Sequence, residues 1–404
     1  VFVRGGEIRA LTGLRILAAV WVVLFHFRPM LAAAAPGLSD AVAPLLNCGA
    51  QGVDLFFILS GFVLTWNYLD RMGPVWSTRE TLHFLWLRLS RVWPVHLVTL
   101  HLAALWVVFT LHVGHVPAEW ADEMTAGSYL RQILLVQLWF EPYFDGTSWD
   151  GPAWSISAEW LAYLLFGALI LVIFRIAAAT RARGLLLLAL AASSGPVLLM
   201  LLSGEFYTPW SWLPRIVMQF TAGALACAAV RRLRLSHGQR QVAGASALLI
   251  LATVIGLLYW LDAHPINGLS DSSGVVDLLF VPFVVALAVG VGALPSLLAT
   301  TVMVYGGKIS FAVYMVHELV HTAWVWAEQQ FEMTLQDPGG GWWLLGILAV
   351  VFAASAALYH GVEEPARKWM RRMLDGRGPS STPPRGPVAA NEPAPVRVFG
   401  PVAP

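Results

Sequence analysis

The sequence predicts an all-α membrane protein, a bundle of about ten transmembrane helices with one further short interfacial or re-entrant helix. Three observations carry that reading. Hydrophobic residues make up 58% of the 404 and charged ones 12%, about half the charge of a soluble globular chain. Mean hydropathy is +0.67. The apolar residues gather into runs of spanning length, not into the short alternating segments of a membrane barrel. In hydrocarbon a helix satisfies its own backbone, so such runs read as spans.

The runs fall near residues 10–28, 50–69, 92–112, 153–174, 184–203, 211–230, 241–261, 275–294, 302–326 and 342–362. Basic residues set their orientation. Arg4 and Arg9 precede the first run, and Arg71, Arg79, Arg88 and Arg91 lie between the second and third. Arg175, Arg181 and Arg183 follow the fourth; Arg231, Arg232, Arg234 and Arg240 follow the sixth; Arg367, Lys368, Arg371 and Arg372 follow the last. With both termini inside, all five groups are cytoplasmic, as short basic loops prefer. The expected setting is the cell membrane, crossed many times, with lipids as the surrounding partner. Net charge is +1 with the arginines at helix ends, so no nucleic-acid partner is expected.

Residues 129–140 are apolar but too short to span, and counting them would reverse every later loop. They are read as the interfacial or re-entrant helix on the outer side. Residues 141–151, with Asp145, Gly146, Thr147 and Ser148, have the chemistry of a turn, and 262–271 is similar. Residues 375–404 turn to Pro, Gly, Ala and Ser, which predicts a disordered cytoplasmic tail behind a membrane-embedded domain over 1–374. The first run followed by the alanines at 32–35 imitates a secretory signal, but His26 and Arg28 interrupt it first, so the helix is read as retained. Cys48 and Cys227 are expected toward opposite faces, which leaves no disulfide framework or cysteine metal site.

Polar residues inside the spans are the candidates for chemistry, because they are expensive there. Arg15 and His26 are eleven residues apart, on nearly one helix face and about 16 Å apart along the axis. Either they line a site, or Arg15 snorkels at a flank and His26 is a satisfied histidine. Asp54 is expected at the depth of His26 on an antiparallel neighbour, where its carboxylate would orient the imidazole; the other reading is a helix N-terminal residue favoured by the dipole. Arg88 and Arg91 share a face at a cytoplasmic mouth, where they suit phosphate oxygens or simply fix topology. Glu159 lies in the outer half of the fourth span, after Trp154, Ser155 and Ser157. His317, Glu318 and His321 crowd the ninth. His317 and His321 stand at i, i+4, but no third ligand is evident, and no metal is expected.

In order along the chain these motifs are Gly13-Leu14-Arg15 with His26, the run from Gly52 through Asp54 and Ser60-Gly61-Phe62, Arg88-Leu89-Ser90-Arg91, Trp154-Ser155-Ile156-Ser157-Ala158-Glu159-Trp160, the run from Ser310 to His317, and Glu364-Pro365-Ala366-Arg367. Together they resemble acyltransferase family three, integral-membrane O-acyltransferases, over residues 11–373. Two positions depart from the family pattern: Thr12 stands where an aspartate is usual and Glu364 where a lysine is common. The resemblance implies transfer of an acyl group from cytoplasmic acyl-CoA, with acetyl-CoA the expected co-substrate, to a hydroxyl-bearing acceptor. Acceptors in such relatives are envelope sugars, glycolipids or secreted antibiotics such as macrolides. It implies His26 as the catalytic histidine and Arg15, Arg88 and Arg91 as donor-binding residues. Asp54 and Glu159 are expected beside His26 in catalysis, and Trp154, Ser157, His317 and Glu318 on the acceptor. The alternative is a transporter or flippase, which two related halves with broken helices would favour; no such halves are visible.

Overall fold

The computed structural model describes residues 6–113, 124–143, 149–266, 269, 273–337 and 339–375. Residues 145–148 of the outer turn and the tail from 376 onward lie outside the described residues. Among the described residues fifteen α-helices run in chain order: α1 Arg9–His26, α2 Arg28–Ala34, α3 Pro36–Leu46, α4 Gly52–Met72, α5 Thr78–His112, α6 Ala126–Ile133, α7 Trp154–Ala179 and α8 Ala182–Ser203. Then come α9 Trp212–Val230, α10 His237–Ala263, α11 Phe280–Val289, α12 Ala293–Leu298, α13 Thr301–Phe331, α14 Gly340–Leu358 and α15 Glu364–Asp375. No strand occurs among the described residues.

Among the described residues, eight helices are long and apolar enough to cross a membrane. The other two expected spans show why the count is lower. The run at 302–326 lies in α13, which has 31 residues but carries Lys308, Glu318 and Glu328. The run at 275–294 is broken into a 3₁₀ stretch, Ser273–Leu279, followed by the ten residues of α11. Pro282 in the first turn of α11 has no N–H for the carbonyl four residues back, which suits the start of an α-helix there. Residues 129–140 are not one helix either. The eight-residue α6, closed by a Thr125–Ser128 capping box, is followed by turns in which Leu135 takes φ 60°.

Two close crossings hold the bundle. The most extensive contacts are between α4 and α9, and next come α1 with α13 and α8 with α9. At α4–α9, Gly61 faces the Phe220 carbonyl and Gly223 faces the Ile58 carbonyl, and a Cβ at either position would overlap backbone. Gly307 of α13 meets the Thr12 carbonyl of α1 in the same way. Without a hydrophobic drive between helices in lipid, such small-residue contacts supply the packing. Gly223→Val should therefore cut the monodisperse, detergent-extracted protein several-fold. Gly256→Ala, with open space around it, should leave the size-exclusion profile unchanged.

The end of α1 is set by Pro29, at the start of α2. Proline there leaves the Phe25 carbonyl without its helical donor, and Arg28 Nη1 supplies one at 2.7 Å. The chain bends directly after His26. Helix α1 is packed against α13, α4 and α12, so the helix carrying Arg15 and His26 is part of the core.

Candidate active site

His26 stands at the last residue of α1, and its Nδ1 lies 2.9 Å from the Val22 carbonyl one turn back. A carbonyl only accepts, so in the neutral ring Nδ1 carries the proton and Nε2 the lone pair. His317 on α13 is fully buried, and the same logic applies to it: its Nδ1 donates to the Tyr314 carbonyl at 2.6 Å, leaving Nε2 as an acceptor. That Nε2 is 3.3 Å from His26 Nδ1, so the His26 N–H is shared between the Val22 carbonyl and His317. The rings meet edge to face at 4.8 Å. The local backbone and one buried histidine thus fix the His26 tautomer and leave its Nε2 free to take a proton.

Glu318 adjoins this pair. Its Oε1 accepts from His321 Nδ1 at 3.2 Å, while its buried Oε2 has no hydrogen-bond partner. Ligand atoms of His26, His317 and Glu318 all lie within 4.8 Å of one another. His26 is therefore the third potential metal ligand that the i, i+4 spacing of His317 and His321 did not reveal, and His321 is spent on Glu318. The His26–His317 approach is bridged by a proton in the tautomers above.

A small cavity of about 50 Å³ adjoins the pair, lined by Arg15, Phe56, Ser60, Ser155, Glu159 and Tyr314, among others. Arg15 lies 5.9 Å from the Phe56 ring centroid, and its buried Nε has no hydrogen-bond partner. Ser60 donates a short hydrogen bond to Glu159. Tyr314 donates to the Pro152 carbonyl at 3.0 Å and accepts from Ser155 at 2.8 Å. Its ring is 5.8 Å from that of His317, which joins the cavity to the histidine pair.

Residues 8–362, nearly the whole chain, match the acyltransferase domain of family three. The chain belongs to that family. Acyltransferase MdmB of Streptomyces mycarofaciens is 27% identical over 395 residues, which cover 93% of this chain and 94% of that protein. No solved structure matches. The protein is an acyltransferase, and its remaining candidate residues can be placed on that footing.

Asp54 does not meet His26. Its carboxylate is held by Arg215 of α9, Nε to Oδ1 at 3.1 Å and Nη2 to Oδ2 at 2.6 Å, with both residues buried. The reason lies in the α4–α9 crossing, which brings a forked donor to Asp54, while His26 is already served by Val22 and His317. Sequence reasoning passed over Arg215, although an arginine within the run at 211–230 was a visible signal. Ser157 is also not open to an acceptor. It is fully buried, donates to the Leu135 carbonyl at 2.9 Å and accepts from the Leu138 N–H at 3.3 Å, so it pins the turns after α6. Trp154 packs between Phe57 and Arg215, with its ring 5.6 Å from the guanidinium carbon.

The two arginines of α5 are not equivalent. Arg91 is paired with the fully buried Glu363, whereas Arg88 rests 5.8 Å from the Phe84 ring with its buried Nε unpartnered. Glu363 reaches Arg91 because residues Tyr359–Glu363 form a π-helical turn, which shifts the register before α15. The neighbouring Glu364, the departure noted in the last motif, bonds instead to Lys368 at 2.9 Å on the surface.

Proposed function

We propose that this acyltransferase moves an acetyl or other short acyl group from acyl-CoA to a hydroxyl of a carbohydrate, a glycolipid or a glycosylated natural product such as a macrolide. The observation that carries the reading is the lone pair on His26 Nε2, fixed by the Val22 carbonyl and His317.

The acceptor hydroxyl gives its proton to His26 Nε2 as its oxygen attacks the thioester carbonyl. The carbon–sulfur bond breaks, the proton on the imidazolium passes to the leaving thiolate, and an ester and free CoA result. The charge that His26 gains is balanced by Glu318, whose Oε2 is unspent. The anionic end of the donor is held by Arg88 and Arg15, which both keep an unpartnered Nε, through charge-assisted bonds. Arg91, paired with Glu363, holds the α5 mouth in shape. Glu159, fixed by Ser60, balances Arg15 in the cavity.

Purified protein in detergent, supplied with acetyl-CoA and a panel of one free sugar, one glycolipid and one glycosylated macrolide, should release CoA thiol only when a suitable acceptor is added. Thiol release independent of acceptor, or none with any acyl-CoA, would overturn the reading. Within this scheme Arg88→Ala should raise the KM for acyl-CoA about tenfold, the loss of one charged hydrogen bond, with kcat changed little. A fall in kcat at unchanged KM would remove Arg88 from donor binding.

A further inference from the structure

A second cavity, of about 260 Å³, lies between the end of α8 and the start of α9, and the acyl-transfer scheme makes no use of it. Its walls are mostly apolar, with Leu199, Met200, Phe206, Trp210 and Pro214 among them, and Arg215 is the one cationic residue that lines it. Arg215 is 2% exposed. Its Nε and Nη2 are spent on Asp54, but its buried Nη1 has no hydrogen-bond partner. A buried donor left unmade is costly, so the group is primed for an incoming acceptor atom. Nη1 is covered, and Phe206, whose ring centroid is 4.7 Å from the guanidinium carbon, belongs to the same wall. Phe206 is the nearest of three rings on the guanidinium, beside Tyr207 and Trp154, and a ligand would have to displace it to reach Nη1. At the rim, Trp210 is held at φ 64°, with its N–H on the Pro142 carbonyl at 2.6 Å. A large side chain in the left-handed region is strained, and such strain persists where the surroundings impose it.

The charges decide what kind of molecule fits. Arg215 is neutralised by bidentate bonding to Asp54, Asp277 also acts on it, and Glu205 lines the cavity. One cation faces three carboxylates, so an anionic ligand is disfavoured. The free Nη1 offers donors and no acceptor, which disfavours a ligand whose only polar group is a donor. What remains is an apolar body with a neutral acceptor oxygen.

We propose that this cavity is a binding site for a neutral, oxygen-bearing lipophilic molecule, such as a lactone or ester, with its carbonyl oxygen on Arg215 Nη1. The site binds independently of acyl transfer, and a failure of the acyl-transfer reading leaves it standing. The test is photolabelling of the full chain in lipid nanodiscs with a diazirine-tailed γ-dodecalactone, followed by peptide mapping. A dodecanoate with the same tail serves as the anionic comparison. The lactone should label residues 196–215 at least tenfold more strongly than the carboxylate. Leu199→Trp, which fills the cavity from an already exposed position, should remove that labelling while leaving the size-exclusion profile unchanged. Arg215→Lys keeps a cation for Asp54 and loses the fork, and should weaken lactone labelling about tenfold. Should the lysine variant not fold, the Leu199→Trp result decides. Equal labelling by lactone and carboxylate, or labelling of 196–215 that survives Leu199→Trp, would overturn the proposal.

Discussion

His26→Ala is expected to lower acyl transfer by a factor of about 10²–10⁴, the range that a positioned general base supplies. The substitution should leave the protein folded. The side chain is only partly buried, and the bend after it depends on Pro29 and on the Arg28–Phe25 bond, neither of which involves the imidazole. His26→Gln should be equally inactive, because an amide hydrogen-bonds but does not accept a proton at neutral pH. His317→Ala separates fixing the tautomer from taking the proton. It removes one of the two acceptors for the His26 N–H and leaves the Val22 carbonyl at 2.9 Å, so the tautomer is retained and the expected loss is about tenfold. Thiol release measured with saturating acyl-CoA and acceptor reads both effects. An alanine variant at position 26 with near-normal turnover would take His26 out of the chemistry.

The sequence made the fold class legible and offered His26 as a candidate because both follow from local signals. Hydropathy over about twenty residues identifies most spans, and ordered motifs carry the family. What it hid is the partner of each buried charge, which depends on how helices cross. Depth-matching placed Asp54 near His26, yet the glycines at 61 and 223 draw α4 onto α9 and put Asp54 on Arg215. His317 was visible as a buried histidine, but its contact with His26 depends on the packing of α1 against α13. Only Glu364 was noted in the last motif; the pairing of Glu363 with Arg91 depends on a π-helical turn that periodicity does not reveal. The eighth expected run is also helical, as a 3₁₀ stretch followed by the ten-residue α11, which carries Pro282 in its first turn.

The Asp54–Arg215 pair should be the largest single determinant of stability among the candidate residues. Each partner is buried, and removing one leaves an uncompensated charge, at a cost of roughly 3–5 kcal/mol. Replacing both by apolar residues of similar size, Asp54→Leu with Arg215→Met, should recover most of that loss, since a buried pair contributes little beyond a hydrophobic substitute. The two single variants should not be equal. Asp54 lies in the first turn of α4, where the helix dipole favours an anion. Arg215 lies in the first turn of α9, where the same dipole opposes a cation. A lone carboxylate can also escape by binding a proton, whereas a guanidinium stays charged. Asp54→Asn should therefore destabilise more than Arg215→Met, and the double variant less than either. Thermal unfolding in one detergent gives the order directly, and a double variant as unstable as Asp54→Asn would show that the loss does not come from an uncompensated buried charge.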